Sequence, residues 1–131
     1  MIAQAVAVFA IVMGLAIAGV WTKDILRNPE IDLSKGLFAA RDKDSGALFW
    51  LHWLAEYSTA GALVAGGVGL LVGETWARPI ALLALGALVY TSINSMGWAF
   101  SRRDRYAYAA PMLVGAVGGS ASAVLLLVMG G

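Results

Sequence analysis

Residues 46–73 read GALFWLHWLAEYSTAGALVAGGVGLLVG, a run of 28 residues in which only His52 and Glu56 are ionisable. A helix that crosses the hydrocarbon core of a bilayer needs about 20 mostly apolar residues. The run is therefore long enough to cross a membrane once. Because unpaired backbone groups are costly in lipid, the whole run is predicted to be one continuous helix.

Three further stretches of this kind lie elsewhere in the chain, at residues 2–21, 79–100 and 106–131, and none of them contains an ionisable side chain. Every charged residue except Glu56 lies in the segments between the four stretches. The sequence therefore predicts an all-α integral membrane protein with four transmembrane helices in an up-down-up-down bundle. Residues 1–131 are expected to form this single domain.

The overall composition excludes several classes of protein. Hydrophobic residues make up 60% of the 131 residues and charged residues 13%, against roughly 25% charged in soluble domains. That balance argues against an ordinary soluble enzyme and against a disordered tail. A formal net charge of +1 argues against a nucleic-acid binder, and the lack of cysteine removes thiolate metal sites. Membrane lipids are the expected surroundings, and no cofactor is predicted.

The basic residues predict an orientation. Segment 22–45 carries five Lys or Arg and segment 101–105 carries three, whereas segment 74–78 carries one. Because cytoplasmic loops are rich in Lys and Arg, the first and third segments are predicted to be cytoplasmic and both termini external. A bacterial inner membrane is the expected location. The rival interpretation of residues 2–18 as a signal peptide is disfavoured, because no basic residue precedes the apolar run.

Small residues at helical spacing predict where the helices meet. Gly69 and Gly73 are four residues apart in the second stretch, as are Gly115 and Gly119 in the fourth. Such pairs let helix backbones approach closely in lipid. Two uses remain open: the pairs seal the bundle of one chain, or the pair on the fourth helix contacts a second copy or a partner membrane subunit.

One polar cluster is predicted within the membrane. His52 and Glu56 are four residues apart and share a helix face. Thr91 and Asn94 lie at a similar depth if the third helix is antiparallel to the second. Ionisable residues inside a membrane are costly and are functional candidates by default. The aromatic residues expected to complete the candidate site are Trp53, Tyr57, Tyr90 and Trp98.

The cluster has two main interpretations. In the first, Glu56 hydrogen-bonds to Asn94, Thr91 or His52 and acts as a structural clamp between helices. In the second, the carboxylate and the aromatic wall bind a proton or a cationic ligand. The second interpretation predicts a homo-oligomeric transporter or ligand-binding unit. The first predicts a non-catalytic accessory or assembly subunit of a larger membrane complex.

Two other uses of Glu56 and His52 have less support. Acid–base catalysis on a lipid would have to rely on these two residues without a nucleophile, because the sequence contains no nucleophile motif. A metal site lacks further ligands, and haem ligation would need His52 from two copies. Neither catalytic residues nor a metal site are predicted.

Overall fold

The computed structural model describes residues 1–27, 43–100 and 103–128, without the side chains of residues 43–49, 98, 104 and 105. Most of the predicted cytoplasmic segment 22–45 lies outside the described residues. Within those ranges all of the regular secondary structure is helical. The elements are α1 (Ile2–Arg27), α2 (Lys43–Val72), α3 (Ala77–Phe100), a 3-10 helix (Arg103–Tyr108) and α4 (Ala109–Val128).

Four of the described helices are long and apolar enough to cross a membrane, which confirms the prediction of an all-helical chain with four such segments. Their candidate spans are Ile2–Arg27, Trp50–Val72, Ala77–Gly97 and Tyr106–Val128. Their outward faces carry many exposed Leu and Val side chains, such as Leu83 at 72% exposure. Apolar surface of this extent is unusual in water and is what hydrocarbon solvates.

Several helix ends differ from the predicted ones: α2 begins at Lys43 rather than residue 46, and α3 at Ala77 rather than residue 79. α1 runs beyond residue 21 to Arg27, because Thr22–Arg27 contains good helix formers and neither Gly nor Pro. α4 begins at Ala109 rather than 106, because Arg103–Tyr108 is wound as a 3-10 helix. Pro111 lies in the first turn of α4, where a missing backbone N–H costs nothing.

The helices pack in chain order, α1 on α2, α2 on α3 and α3 on α4, whereas α1 and α4 touch only lightly. The contacts between α1 and α2 run in opposite chain directions. A Cβ added to Gly14 would lie 2.7 Å from the carbonyl oxygen of Ala60, and one added to Gly67 would lie 2.7 Å from that of Ala7. Both glycines therefore bring the two backbones together more closely than any larger residue allows.

The second helix ends at a glycine cap. Gly73 has φ +78°, a left-handed conformation that favours glycine, and a Cβ there would meet nothing within 4 Å. The N–H of Glu74 donates to the carbonyl oxygen of Gly69 at 2.9 Å, which is the bond of a Schellman cap. Gly73 thus ends α2 and does not pack against another helix. Gly69 does pack closely: a Cβ added there would lie 2.7 Å from the Cβ of Ala77.

The glycine pair of α4 faces α3 of the same chain. A Cβ added to Gly115 would overlap the hydroxyl of Ser92, and one added to Gly119 would lie 3.0 Å from a methyl of Val89. Both glycines are buried. The pair therefore packs against α3 within one chain.

The apolar core lies among the four helices. It is centred on Leu63 of α2 and on Leu85 and Leu88 of α3, each at most 1% exposed, with Val6 and Ala10 of α1 and Leu126 of α4 packed against them. Toward the end where α1 finishes and α2 begins, this core gives way to polar side chains.

Candidate functional site

Glu56 is buried in the bundle because it lies on the inward stripe of α2. Trp53, Glu56, Ala60 and Leu63 follow one another at intervals of three or four residues, and each is at most 4% exposed. This is the spacing of one helix face. A carboxyl group therefore occupies a position that the rest of the stripe fills with apolar groups.

The Glu56 carboxyl is only partly satisfied by its neighbours. The indole N–H of Trp21, on α1, donates a hydrogen bond to it. Its Oε1 has no hydrogen-bond partner among the described residues. Nε2 of His52 lies 3.8 Å from this oxygen, beyond hydrogen-bond distance. One oxygen of a buried carboxyl group is thus left without a donor, which is costly in a protein interior.

His52 lies one turn from Glu56 and nearer the end of the bundle. Its side chain is 32% exposed. The ring meets that of Trp21 edge to face, with centroids 4.8 Å apart and an interplanar angle of 83°. The negative charge of Asp24, on α1, interacts electrostatically with the His52 ring. Trp21 therefore contacts both polar residues of α2 and links them to α1.

A cavity of about 90 Å³ adjoins Glu56. Since one buried water needs roughly 10–15 Å³ of such volume, the cavity has room for about six to nine waters or one small polar group. All four helices and the 3-10 helix contribute to its lining, which is mostly apolar. The lining residues are Met13, Ala16, Ile17, Val20, Trp21, Glu56, Leu88, Thr91, Ser92, Ser95, Tyr108, Pro111 and Met112.

Three hydroxyl side chains of α3 line the cavity together with Glu56. Thr91, Ser92 and Ser95 are all buried, at 8%, 6% and 6% exposure. The Thr91 hydroxyl donates to the carbonyl oxygen of Leu88 at 3.2 Å. Hydroxyl oxygens retain lone pairs when they donate, so this wall can accept hydrogen bonds from a bound group.

The structure brings some of the predicted site residues together. Glu56 and Thr91 line the cavity, and His52 adjoins Glu56. Trp53 and Tyr57 are not among the residues that line the cavity. Trp53 is buried, and its ring packs edge to face on Trp50 with centroids 5.0 Å apart. Tyr57 faces α1, where its hydroxyl lies 2.7 Å from that of Thr22.

Other predicted site residues lie away from the cavity. Asn94 is exposed on α3, and Tyr90 is 71% exposed. The cause is the rotation of α3, whose inward stripe passes through Leu88, Ser92 and Ser95. Asn94 is therefore not a partner of Glu56. The side chain of Trp98 lies outside the described residues.

Several lining residues were not predicted as site residues, and part of the signal was in the sequence. Leu85 and Leu88 mark the apolar face of α3, and the same spacing continued along the helix reaches Ser92 and Ser95. Trp21 lies at the end of the first apolar stretch, where an aromatic residue is common at a membrane interface whatever its contacts. Nothing in the sequence indicates that it reaches Glu56, because that contact depends on how α1 packs against α2.

No group of three or more His, Cys, Asp or Glu side chains that could hold a metal ion occurs in the part of the chain described here. His52 and Glu56 supply two ligands at most. A bound group would therefore be held by one carboxylate and by hydroxyls, in a setting that suits a positively charged or hydrogen-bond-donating ligand better than a metal ion.

The comparisons with known proteins are sparse. No curated protein and no solved structure matches the chain. One family model matches residues 1–129, and its description is a domain of unknown function, DUF8058. The match covers nearly the whole chain, so this protein belongs to the DUF8058 family.

Proposed function

We propose that this protein is a ligand-binding unit of a bacterial inner membrane, in which Glu56 binds a cationic group inside the bundle. The observation that carries the proposal is the buried residue Glu56, which lines a cavity and whose Oε1 has no hydrogen-bond partner among the described residues. An acidic side chain at the centre of a membrane helix costs about 2.5–3.5 kcal/mol on insertion scales. A ligand that donates to the Glu56 carboxylate would offset part of that cost.

The chemistry of the cavity favours an ammonium group over other ligands. Among the described residues that line the cavity, Glu56 is the only charged one, and a bound cation would neutralise it. An ammonium group has several N–H donors, which could bond the Glu56 carboxylate and a serine hydroxyl of α3 at once. The Trp21 ring also lines the cavity and offers a surface for a cation.

The test is ligand-induced stabilisation with octylammonium as the probe. Thermal unfolding of the purified protein in detergent is followed with octylammonium, and with octanol as the uncharged control. We expect octylammonium to raise the unfolding temperature of the wild type and of Glu74→Gln, whose carboxyl group is exposed and distant from the cavity. A ligand at 100 times its Kd stabilises by about 2.7 kcal/mol.

The Glu56→Gln variant decides the outcome. We expect it to fold, because Gln can still accept the Trp21 hydrogen bond, and to lose the stabilisation by octylammonium. An equal shift in the wild type and in Glu56→Gln would refute binding at this carboxylate.

A second candidate function is that of an accessory subunit, with the cluster as a clamp. The bond from Trp21 to Glu56 favours it, since that bond ties α1 to α2. If the clamp is its only role, Glu56→Gln should behave as the wild type in every assay, and Glu56→Leu should destabilise by about 1 kcal/mol. Native mass spectrometry after mild solubilisation separates a homo-oligomer from a complex with another subunit.

We also propose an up-down-up-down arrangement in the membrane, with segments 22–45 and 101–105 in the cytoplasm and both termini outside. The asymmetry of basic residues supports this orientation. The chain has no cysteine, so single-cysteine variants give clean labelling. An impermeant maleimide added to intact cells should label Thr75→Cys and leave Arg103→Cys unlabelled. Labelling of Arg103→Cys alone would reverse the orientation.

A further inference from the structure

We propose that the ligand of the Glu56 cavity is a long-chain alkylammonium amphiphile, which enters from the bilayer through an opening between α1 and α4. This inference rests on the proposed function and adds the class of ligand and its route. It is carried by the shape of the cavity, by the contacts between α1 and α4, and by the volume available for a ligand.

The cavity has a buried floor and an exposed rim. Its residues on α2 and α3, which include Glu56 and Ser92, are all buried. By contrast, Ala16 and Val20 of α1 and Pro111 of α4 line the same cavity and are exposed on the surface of the bundle. The cavity therefore reaches the surface between α1 and α4.

The close contacts between α1 and α4 lie at one end of the cavity. The two helices approach closely where a Cβ added to Gly118 would lie 2.6 Å from the ring of Phe9. They approach again at Gly115, where an added Cβ would lie 3.3 Å from the Cε of Met13. From Met13 to Val20, both cavity-lining, α1 advances roughly 10 Å at about 1.5 Å per residue, and this length frames the opening.

The level of the opening determines what can pass through it. The α1 rim lies within the candidate span Ile2–Arg27, among side chains that are almost all apolar. If α1 crosses the bilayer, this side of the bundle faces acyl chains. A molecule that uses the opening must therefore be soluble in hydrocarbon over most of its length.

The volume and the charge of the cavity define the rest of the ligand. A cavity of about 90 Å³ accepts an ammonium head and a few methylenes, but not a long chain. The chain would have to leave through the opening, past Ala16 and Pro111, and lie along the outside of the bundle. Met13 and Met112 flank this path, and their flexible thioethers adapt to chains of different shape.

The first experiment varies chain length with a constant head group. Binding of ethylammonium, octylammonium and dodecylammonium is measured in nanodiscs of a zwitterionic lipid by ligand-induced stabilisation, for the wild type and for Glu56→Gln. We expect affinity, expressed per mole fraction in the bilayer, to persist or rise from octyl to dodecyl, and ethylammonium to bind at least about tenfold more weakly. Ethylammonium binding as tightly as dodecylammonium would overturn the inference.

The second experiment narrows the opening. Ala16→Phe places a ring on the rim, and Leu15→Phe places the same ring next to it on α1 but away from the cavity, where Leu15 is 61% exposed. We expect Ala16→Phe to weaken dodecylammonium binding about tenfold and Leu15→Phe to leave it unchanged. Val20→Phe tests the same rim if Ala16→Phe does not fold. Equal binding by the rim and control variants would overturn the lateral route.

The two proposals fail in different ways. If octylammonium stabilises Glu56→Gln as much as the wild type, cation binding at Glu56 fails and the lateral route fails with it. If stabilisation depends on Glu56 but not on chain length or on the rim, the proposed function stands and only the lateral route is refuted.

Discussion

Replacing Gly66 by Ala should push α2 and α3 apart. Gly66 is buried on the side of α2 that faces α3. A Cβ added there would lie 2.9 Å from both the Cα and the backbone N of Ala81, and 3.2 Å from its Cβ. Ordinary contacts of a Cβ begin near 3.4 Å. The obstacle is backbone and not the end of a flexible side chain, so the two helices must separate by roughly half an ångström. A gap of that width loses about a quarter of the dispersion energy of each neighbouring contact.

Two opposing terms determine the size of the effect. Overpacking of this kind costs about 1–3 kcal/mol. Replacing glycine by alanine in a helix gains up to about 1 kcal/mol through lower backbone entropy in the unfolded chain. Gly61 lies on the same helix, is exposed, and has nothing within 4 Å of an added Cβ. Gly61→Ala therefore has the gain in helix stability without the overpacking cost.

Reversible unfolding in mixed micelles, with dodecyl sulfate as the denaturant and helicity as the signal, measures both variants. We expect Gly61→Ala to equal or exceed the wild type in stability, and Gly66→Ala to fall below Gly61→Ala by about 1–3 kcal/mol. If the two variants are equally stable, the close approach of α2 to α3 is not a feature of the folded protein.

Three further variants test other contacts. The Arg78 guanidinium donates to the carbonyl oxygens of Leu126 and Leu127 at 2.8 and 3.3 Å, so Arg78→Met should destabilise the end of α4 by about 1–2 kcal/mol, seen as faster amide hydrogen exchange there. Asn94→Val should change the free energy of unfolding by less than about 0.5 kcal/mol, because the residue is exposed. A larger loss in the same unfolding assay would indicate that Asn94 is buried and bonds Glu56 after all. Gly119→Leu should unfold or strongly destabilise the monomer, since its neighbours are in the same chain; a folded monomer that has lost an oligomer by size-exclusion chromatography would contradict this.

The four apolar helices could be predicted because a bilayer imposes a minimum length on any segment that crosses it. That constraint depends only on composition along the chain, so it can be evaluated without contacts. The helix ends could not be predicted as well. Hydropathy falls where charge begins, but a helix continues until its backbone is capped, as α1 continues through Lys23 and Asp24 to Arg27.

The candidate site could be predicted in part. Glu56 stands out because it is isolated among apolar residues, and this isolation can be read from the sequence alone. Its surroundings depend on the rotation of each helix about its own axis. Depth in the membrane placed Asn94 level with Glu56, but depth does not determine rotation, and Asn94 is on the outer face of α3.

The rotation of α3 follows from its small residues. Ala77 and Ala81 are fully buried and receive Gly69 and Gly66 of α2, so the face they define must point into the bundle. Continued at helical spacing through Leu88, that face brings Ser92 and Ser95 to the cavity and turns Asn94 away. The close packing at one end of the bundle therefore determines which polar groups line the cavity at the other. A substitution that rotates α3 at Ala81 would alter the lining of the cavity without touching it.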